Sequence, residues 1–419
     1  MVMNIPYKEI LKEKNFVYIF IGRLFKRSAL ILFSMELIWL TMELTNNSPL
    51  LLSLIVMAET LPFILFGIYG GVKADRWNKK LVMVISDISI AILLISLPIL
   101  YQLNILNYFL LMVFVIVITL FSCFAEPCFR AIIPELLTKT KLQEGNALLD
   151  SVQRGAAILV PASIGLVLKI TTQIHLFSLA FILMMIAAIL HLLINYKPRE
   201  FTSAQETQQS TVSDIKQTIG YLKRNKDISF IMLVQGVSIM INTGLWRVGL
   251  PIYLETYLGK DIDTFGYITG ILGAASFGTS ILLGLLNKIN PIAIFNAGII
   301  LWGGGLLAIG VYPSITIIYI ATVLIGIGQA SEGLSRIIIL QDQVPGNMLG
   351  KVFSISSSLN YTSDTLSLGA ISGVLAVFST AVVFSGGGAA ILLTGIVGAL
   401  TLKRRSQKIN LNKSNEGAI

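Results

Sequence analysis

Leu106-Asn-Tyr-Phe-Leu-Leu-Met-Val-Phe-Val-Ile-Val-Ile-Thr-Leu-Phe-Ser-Cys-Phe-Ala-Glu126-Pro-Cys-Phe-Arg130-Ala-Ile-Ile133 is predominantly apolar, and Glu126 and Arg130 are its only charged residues. At about 1.5 Å of rise per residue, roughly 20 such residues cross the hydrocarbon core of a bilayer as a helix. Comparable runs lie at about 16–44, 49–72, 81–102, 146–169 and 173–195, and after a polar interval at about 228–257, 264–287, 291–311, 314–340, 352–378 and 381–402. Hydrophobic residues make up 55% of the chain and charged ones 13%, too few charges to cover a water-soluble protein of this length. Mean hydropathy is +0.80. The runs are continuous, not short alternating segments, so a membrane β-barrel is excluded. The expected fold is an all-α membrane protein of about twelve transmembrane helices.

The loop charges set the orientation. Lys8, Lys12 and Lys14 precede the first run, Lys73, Arg76, Lys79 and Lys80 follow the second, and Lys139 and Lys141 follow the fourth. The central segment, Lys288, Lys351 and the tail from Lys403 to Lys413 add more on the same side, while only Lys169 and Lys260 fall in the opposite loops. The positive-inside rule then places both termini in the cytoplasm of a protein of the cell membrane. The net charge of +9 reads as topology, and no nucleic-acid partner is expected.

The chain divides into a six-helix bundle over 1–195, a cytoplasmic linker over 196–227, a second six-helix bundle over 228–402 and a tail over 403–419. Within the linker, Ile215, Ile219 and Leu222 recur at helical spacing among Lys and Arg. That pattern fits a helix on the inner membrane face in contact with anionic lipid, and equally an ordinary connecting helix. The charged start of the chain shows no short apolar segment with a cleavage site, so no removable signal peptide is expected. Cys123 and Cys128 share one apolar run, which gives neither a disulfide framework nor a zinc spacing. No Gly-x-x-x-x-Gly-Lys-Ser/Thr loop for a nucleotide is present, and no nucleophile–base constellation for an enzyme. The reading is a secondary transporter that needs no cofactor or metal and works as a monomer on small molecules.

A repeat supports the division in two. Glu126-Pro-Cys-Phe-Arg130-Ala-Ile-Ile in the fourth run is answered by Glu332-Gly-Leu-Ser-Arg336-Ile-Ile-Ile in the tenth. Gly71-Val-Lys-Ala-Asp75-Arg76-Trp-Asn78-Lys79-Lys80 follows the second run and resembles the major facilitator signature G-x-x-x-D-R-x-G-R/K-R/K. Gly71 permits close helix approach, Asp75 offsets a helix N-terminus, and Asn78 stands where that signature has Gly, tolerating a left-handed turn. Ser86-Asp87, Ala131-Ile-Ile-Pro134-Glu-Leu with Asn146-Ala-Leu, and Gln341-Asp-Gln-Val-Pro345 through Gly350-Lys351-Val-Phe resemble the drug:proton antiporter branch that includes macrolide efflux proteins. In the fifth run Val160-Pro161-Ala-Ser-Ile164-Gly165 keeps only the Pro and the last Gly of that branch's antiporter signature. The resemblance implies two pseudo-symmetric six-helix halves and proton-coupled export by alternating access.

Ionisable groups inside the runs are candidate functional residues. Arg stays protonated and holds anions, whereas a carboxylate gains and loses a proton through a working cycle. Arg27, Arg154 and Arg247, with the aromatic residues Trp39, Trp246 and Tyr361, are the expected substrate-binding set. Glu36, Glu59 and Asp364 are the expected proton carriers, unless they pair with those arginines across helices. Gly71, Asp75, Arg76, Glu126, Arg130, Glu332 and Arg336 are assigned to gating, the Glu–Arg pairs being spaced i,i+4. Arg23 and Lys26 are expected to snorkel to the nearby membrane surface, and His175 and His191 to be peripheral. The prevalence of arginine points to an anionic or zwitterionic solute such as a polycarboxylate siderophore, with a macrolide or other drug as the alternative.

Overall fold

The computed structural model describes residues 10–66, 77–138, 141–196, 211–285 and 290–416. Its helices are α1 (Lys14–Thr45), α2 (Pro49–Ala58), α3 (Lys79–Gln102), α4 (Tyr108–Leu136), α5 (Leu142–Val167), α6 (Leu176–Leu192), α7 (Thr211–Arg224), α8 (Lys226–Gly244), α9 (Leu250–Leu258), α10 (Ile262–Leu285), α11 (Pro291–Val311), α12 (Ile315–Gln343), α13 (Gly346–Val377) and α14 (Thr380–Glu416). No strand occurs among the described residues. A π-helical turn, Leu245–Gly249, joins α8 to α9. Among the described residues, nine helical segments are long and apolar enough to cross a membrane. The protein is therefore an all-helical, multi-pass membrane protein.

α5 contributes a shorter apolar segment, Ser151–Val167, whereas α1 and α13 fall outside that set for a chemical reason. α1 carries Arg23, Lys26, Arg27 and Glu36, α5 carries Arg154, and α13 contains Ser356-Ser-Ser-Leu-Asn-Tyr-Thr-Ser-Asp364. α1 buries Arg23, Lys26, Ser28, Glu36 and Thr41, and α13 buries Ser356, Ser363, Ser367 and Ser372.

Short polar residues begin and end the spans. Ser48 accepts the Leu51 N–H ahead of Pro49, Asn107 accepts the Leu110 N–H at 3.0 Å, and Asn290 accepts the Ile292 N–H at 2.9 Å ahead of Pro291. Each satisfies an amide that the first helical turn leaves open. Asn46, with φ 49°, ends α1 in the left-handed region. Asn78 differs from its expected role: its φ of −68° is extended, and its side chain caps α3 by accepting the Leu81 N–H at 3.2 Å. A left-handed turn is not needed there because a side-chain cap does the work.

The chain forms two compact units, Met1–Ala204 with Gly259–Gly270, and Gln205–Leu258 with Ile271–Ile419. In the first, Phe16, Ile19, Met83, Phe129, Ile132 and Leu149 belong to one buried apolar cluster. In the second, Ile228, Met232, Leu340, Val344 and Val352 form a comparable cluster. α11 is clamped on two sides through glycine. Gly298 and Gly305 lie against Gly328 and Ala321 of α12, while Gly303 and Gly310 lie against Gly388 and Ser385 of α14. The seven-residue spacing on each face lets two backbones meet without side chains between them, the usual basis of helix association in lipid.

Candidate functional site

Several of the charges inside the spans are paired. In the first unit Arg23 grips Glu126 with both guanidinium nitrogens, Nη1 to Oε2 at 2.7 Å and Nη2 to Oε1 at 3.0 Å. The guanidinium also lies 4.2 Å over the Phe129 ring. Arg130 reaches the same carboxylate from one turn on, Nε to Oε1 at 3.3 Å, although its side chain is 73% exposed. The i,i+4 pair is thus one arm of a three-residue cluster built by α1 and α4.

Lys26, one turn beyond Arg23, donates to Asp87 Oδ1 at 2.5 Å, and His191 Nδ1 lies 2.6 Å from Oδ2. Asp87 and His191 are wholly buried. Gly22 makes room for the imidazole, since a Cβ there would sit 2.7 Å from Nε2. Arg23 and Lys26, 7% and 6% exposed, do not snorkel. Partners on α3, α4 and α6 hold them inside, at lower cost than an isolated charge. His191 is correspondingly central to its helix packing, not peripheral.

The remaining candidates of this unit occupy separate places. Arg27 is half-buried, with Arg23, Glu126 and Glu59 as its charged neighbours and its Nε unpartnered. Glu59 accepts a hydrogen bond from Ser34. Glu36 is 1% exposed, with Oε2 unpartnered. One turn on, Trp39 stacks obliquely 5.3 Å from Phe265 and also leaves its Nε1 unpartnered. Arg154 is exposed on α5.

The second unit contains the other pairs. Arg336 Nε donates to Glu332 Oε1 at 3.2 Å, and its Nη1 to Ser356 Oγ at 3.4 Å. Ser356 in turn donates to Gln235 Oε1 at 3.3 Å. Arg247 lies in the π-helical turn with Trp246, which is 8% exposed. The widened turn is pinned to α13: Thr243 Oγ1 donates to Asp364 Oδ1 at 2.5 Å, and the Gly244 N–H donates to Ser367 Oγ at 2.7 Å. Arg247 is the charged neighbour of Asp364, so this expected binder and this expected proton carrier come together. Single-turn π segments often mark functional positions. Tyr361, one turn before Asp364, is 57% exposed.

Gly71, Asp75 and Arg76 lie outside the described residues. The end of their signature is described: Lys79 pairs with Glu135 at 3.2 Å, and Trp77 meets Phe124 edge-on at 5.8 Å. Tyr196 donates to the other Glu135 oxygen at 2.6 Å, and burial together with that carboxylate holds its hydroxyl above the ordinary tyrosine range. Cys123 and Cys128 are buried thiols that form no disulfide. Among the described residues no group of three or more His, Cys, Asp or Glu could hold a metal ion.

The sequence shows the pairs within one helix and leaves the Arg247–Asp364 pairing as an alternative, but it does not show the partners of Arg23 and Lys26. Charges three and four residues apart on α1 hinted at α1's part, but nothing local showed that Glu126 and Asp87 were their partners.

Comparison with known proteins places this architecture. The profile of the Major Facilitator Superfamily matches residues 19–286 and again 231–418. The chain is 25% identical over 399 residues to "Uncharacterized MFS-type transporter YfiS" of Bacillus subtilis (strain 168), covering 89% of this chain and 90% of that one. It is 22% identical over 321 residues to macrolide efflux protein A of Streptococcus pyogenes, covering 75% and 78%. Macrolide efflux protein A of Enterococcus faecalis is also 22% identical, over 306 residues, covering 71% and 93%. Among solved structures, an auto-inhibited POT family peptide transporter superposes with a TM-score of 0.74 at 11% identity, covering 93% and 97%. A POT family transporter in complex with 5-aminolevulinic acid gives 0.71 at 13% identity, covering 92% and 95%. The chain belongs to the Major Facilitator Superfamily, as a membrane transporter of small molecules and not an enzyme, and it resembles macrolide efflux proteins.

Proposed function

We propose that the protein is a proton-coupled exporter of a small organic amphiphile, working by alternating access as a monomer in the cell membrane. Twelve spans follow if α1, α5 and α13 cross beside the nine more apolar segments. They have 32, 26 and 32 residues, and at about 1.5 Å per residue each exceeds the roughly 30 Å of a bilayer core. The gating assignment of Gly71, Asp75 and Arg76 rests on the family signature alone.

The observation that carries the reading is a charge cluster placed equivalently in the two sequence halves. Glu126 on α4, paired with Arg130 on its own helix, engages Arg23, nine residues after Lys14 at the start of α1. Glu332 and Arg336 on α12 connect through Ser356 to Gln235, nine residues after Lys226 at the start of α8 (235 − 226 = 9). Such a correspondence supports two six-helix halves flanking the 196–227 linker, with buried pairs at the helix crossings as the gating elements.

The pairing also bears on the solute. With Arg23, Lys26 and Arg336 matched to carboxylates and Arg247 facing Asp364, less positive charge is available to an anion than the sequence implied. A macrolide-type amphiphile fits this balance, and macrolide efflux protein A is a relative. A polycarboxylate siderophore is the second reading, favoured by the exposed Arg154 and Arg130. Binding of a macrolide and a citrate-type siderophore to the purified protein decides between them. Tighter siderophore binding that is lost in Arg154→Gln would overturn the first reading.

In inverted vesicles a protonophore is expected to abolish accumulation, while removal of ATP has no effect; the reverse result sinks the coupling. Glu36, buried with an unpartnered oxygen, is the carrier best supported, so Glu36→Gln is expected to lower uphill transport about 100-fold while sparing downhill exchange. Unchanged uphill transport would remove Glu36 from the mechanism. For topology, single cysteines at Asn104 and Ser379, in a chain lacking Cys123 and Cys128, are expected to react with an impermeant maleimide on intact cells. One at Ser210 should stay unlabelled, and its labelling would refute the twelve-span arrangement.

A further inference from the structure

A groove of about 350 Å³ lies between α7 and α8 in the second unit. Ile219, Leu222 and Lys223 line it from α7, and Lys226, Phe230 and Leu233 from α8. α7 is fixed in place on its other flank. Tyr221 and Leu222 pack on the cluster around Met232, Leu340 and Val352, and Thr218 is 1% exposed. The Tyr221 hydroxyl donates to the Gln343 carbonyl, and Lys351 donates to Gln217, each at 3.4 Å. Ile219 and Lys223, four residues apart, share the outward flank. The groove is therefore a lasting feature of a docked helix.

Its chemistry is divided. Ile219 is 43% exposed and Leu233 58%, so apolar surface lies open along the floor. Lys223 and Lys226 are exposed. Lys226 is also the first residue of the membrane span Lys226–Leu258, so the groove opens where the apolar part of α8 begins. At that boundary the abundant molecule combining an apolar chain with a negative head is an anionic phospholipid, and interfacial lysines attract it. A soluble anion would use the two ammonium groups and leave the floor bare.

We infer that this groove binds one anionic phospholipid, its headgroup phosphate held by Lys223 and Lys226 and the start of an acyl chain lying on Ile219, Phe230 and Leu233. The site is independent of which solute the protein carries.

Native mass spectrometry of the full chain in detergent tests it, with phosphatidylglycerol and phosphatidylcholine as probes. Wild type is expected to retain one phosphatidylglycerol in preference to phosphatidylcholine. Lys223→Gln and Lys226→Gln should each weaken that retention about five-fold, and the double variant roughly 25-fold. Lys169→Gln, the same charge change on an exposed residue elsewhere, should leave it unchanged, and Leu233→Asn should weaken it. Equal retention of the two lipids by wild type, or retention by the double variant within about two-fold of wild type, overturns the proposal. Displacement by millimolar inorganic phosphate together with an unaffected Leu233→Asn would make the site one for free phosphate, and would equally overturn it.

Discussion

Replacing Asp87 with alanine is expected to destabilise the protein by about 3–5 kcal/mol, among the largest effects of any single side chain. Asp87 is 0% exposed and serves two cations or donors at once, Lys26 at 2.5 Å and His191 at 2.6 Å. Its removal strands the Lys26 ammonium, itself 6% exposed, in a place where water cannot replace the carboxylate. The energy comes from leaving one charge alone, not from the intrinsic strength of the pair. Hence Lys26→Met combined with Asp87→Leu should recover most of the loss, because a buried ion pair exchanged for apolar groups is often neutral. The contrasting case is Lys141→Met, which breaks the 3.0 Å pair with Glu13. Glu13 is 52% exposed there, and the expected cost is about 0–1 kcal/mol. Unfolding of the purified variants in detergent, arranged as a double-mutant cycle, measures both. An Asp87→Ala protein within about 1 kcal/mol of wild type would show that water or another residue reaches Lys26.

The same cluster shows what a sequence can and cannot reveal. Apolar length marks a span because one helix must satisfy its own backbone in lipid, and that is local information. The Glu126–Arg130 and Glu332–Arg336 pairs were legible for the same reason: side chains four residues apart meet on any helix. Lys26 and Asp87 are 61 residues apart, and Arg23 and Glu126 are 103 apart. No periodicity encodes which face of α3 or α4 turns toward α1, so a charge that finds a partner looked like one that escapes to the surface. Arg247 and Asp364 meet the same obstacle: the sequence offers separate duties or a cross-helix pairing, and only the structure makes them neighbours. The widened turn at Leu245–Gly249 adds a second difficulty, since it rotates the helix by a step that a regular 3.6-residue period does not contain. Asn78 was misread more simply. Its identity at a signature Gly position drew attention to φ, whereas its side chain supplies the cap.

Glycine on α14 gives the second large effect, and a graded one, because Gly386, Gly387 and Gly388 are consecutive and face different surroundings. A Cβ on Gly386 would meet nothing within 4 Å. On Gly387 it would come within 2.8 Å of the Ile241 Cγ2 and 2.9 Å of the Leu245 Cδ1, both ends of side chains that can turn aside. On Gly388 it would run into the Leu307 backbone nitrogen, 2.6 Å from the Leu307 Cα and 2.8 Å from the Gly303 carbonyl oxygen. Backbone cannot rotate away, so α11 and α14 must separate along the seam where Gly303 and Gly310 also sit. Gly386→Ala is therefore expected to be neutral or to stabilise by up to about 1 kcal/mol, since alanine narrows the unfolded ensemble and favours helix. Gly387→Ala should cost about 1 kcal/mol as its neighbours shift. Gly388→Ala should cost about 3 kcal/mol or more, and Gly388→Val should prevent recovery of folded protein. The order, more than any single value, is the test, because all three changes share the same helix and nearly the same depth. Thermal unfolding in detergent and the yield of monodisperse protein measure it. A Gly388→Ala variant as stable as Gly386→Ala would mean that α11 and α14 do not touch backbone to backbone.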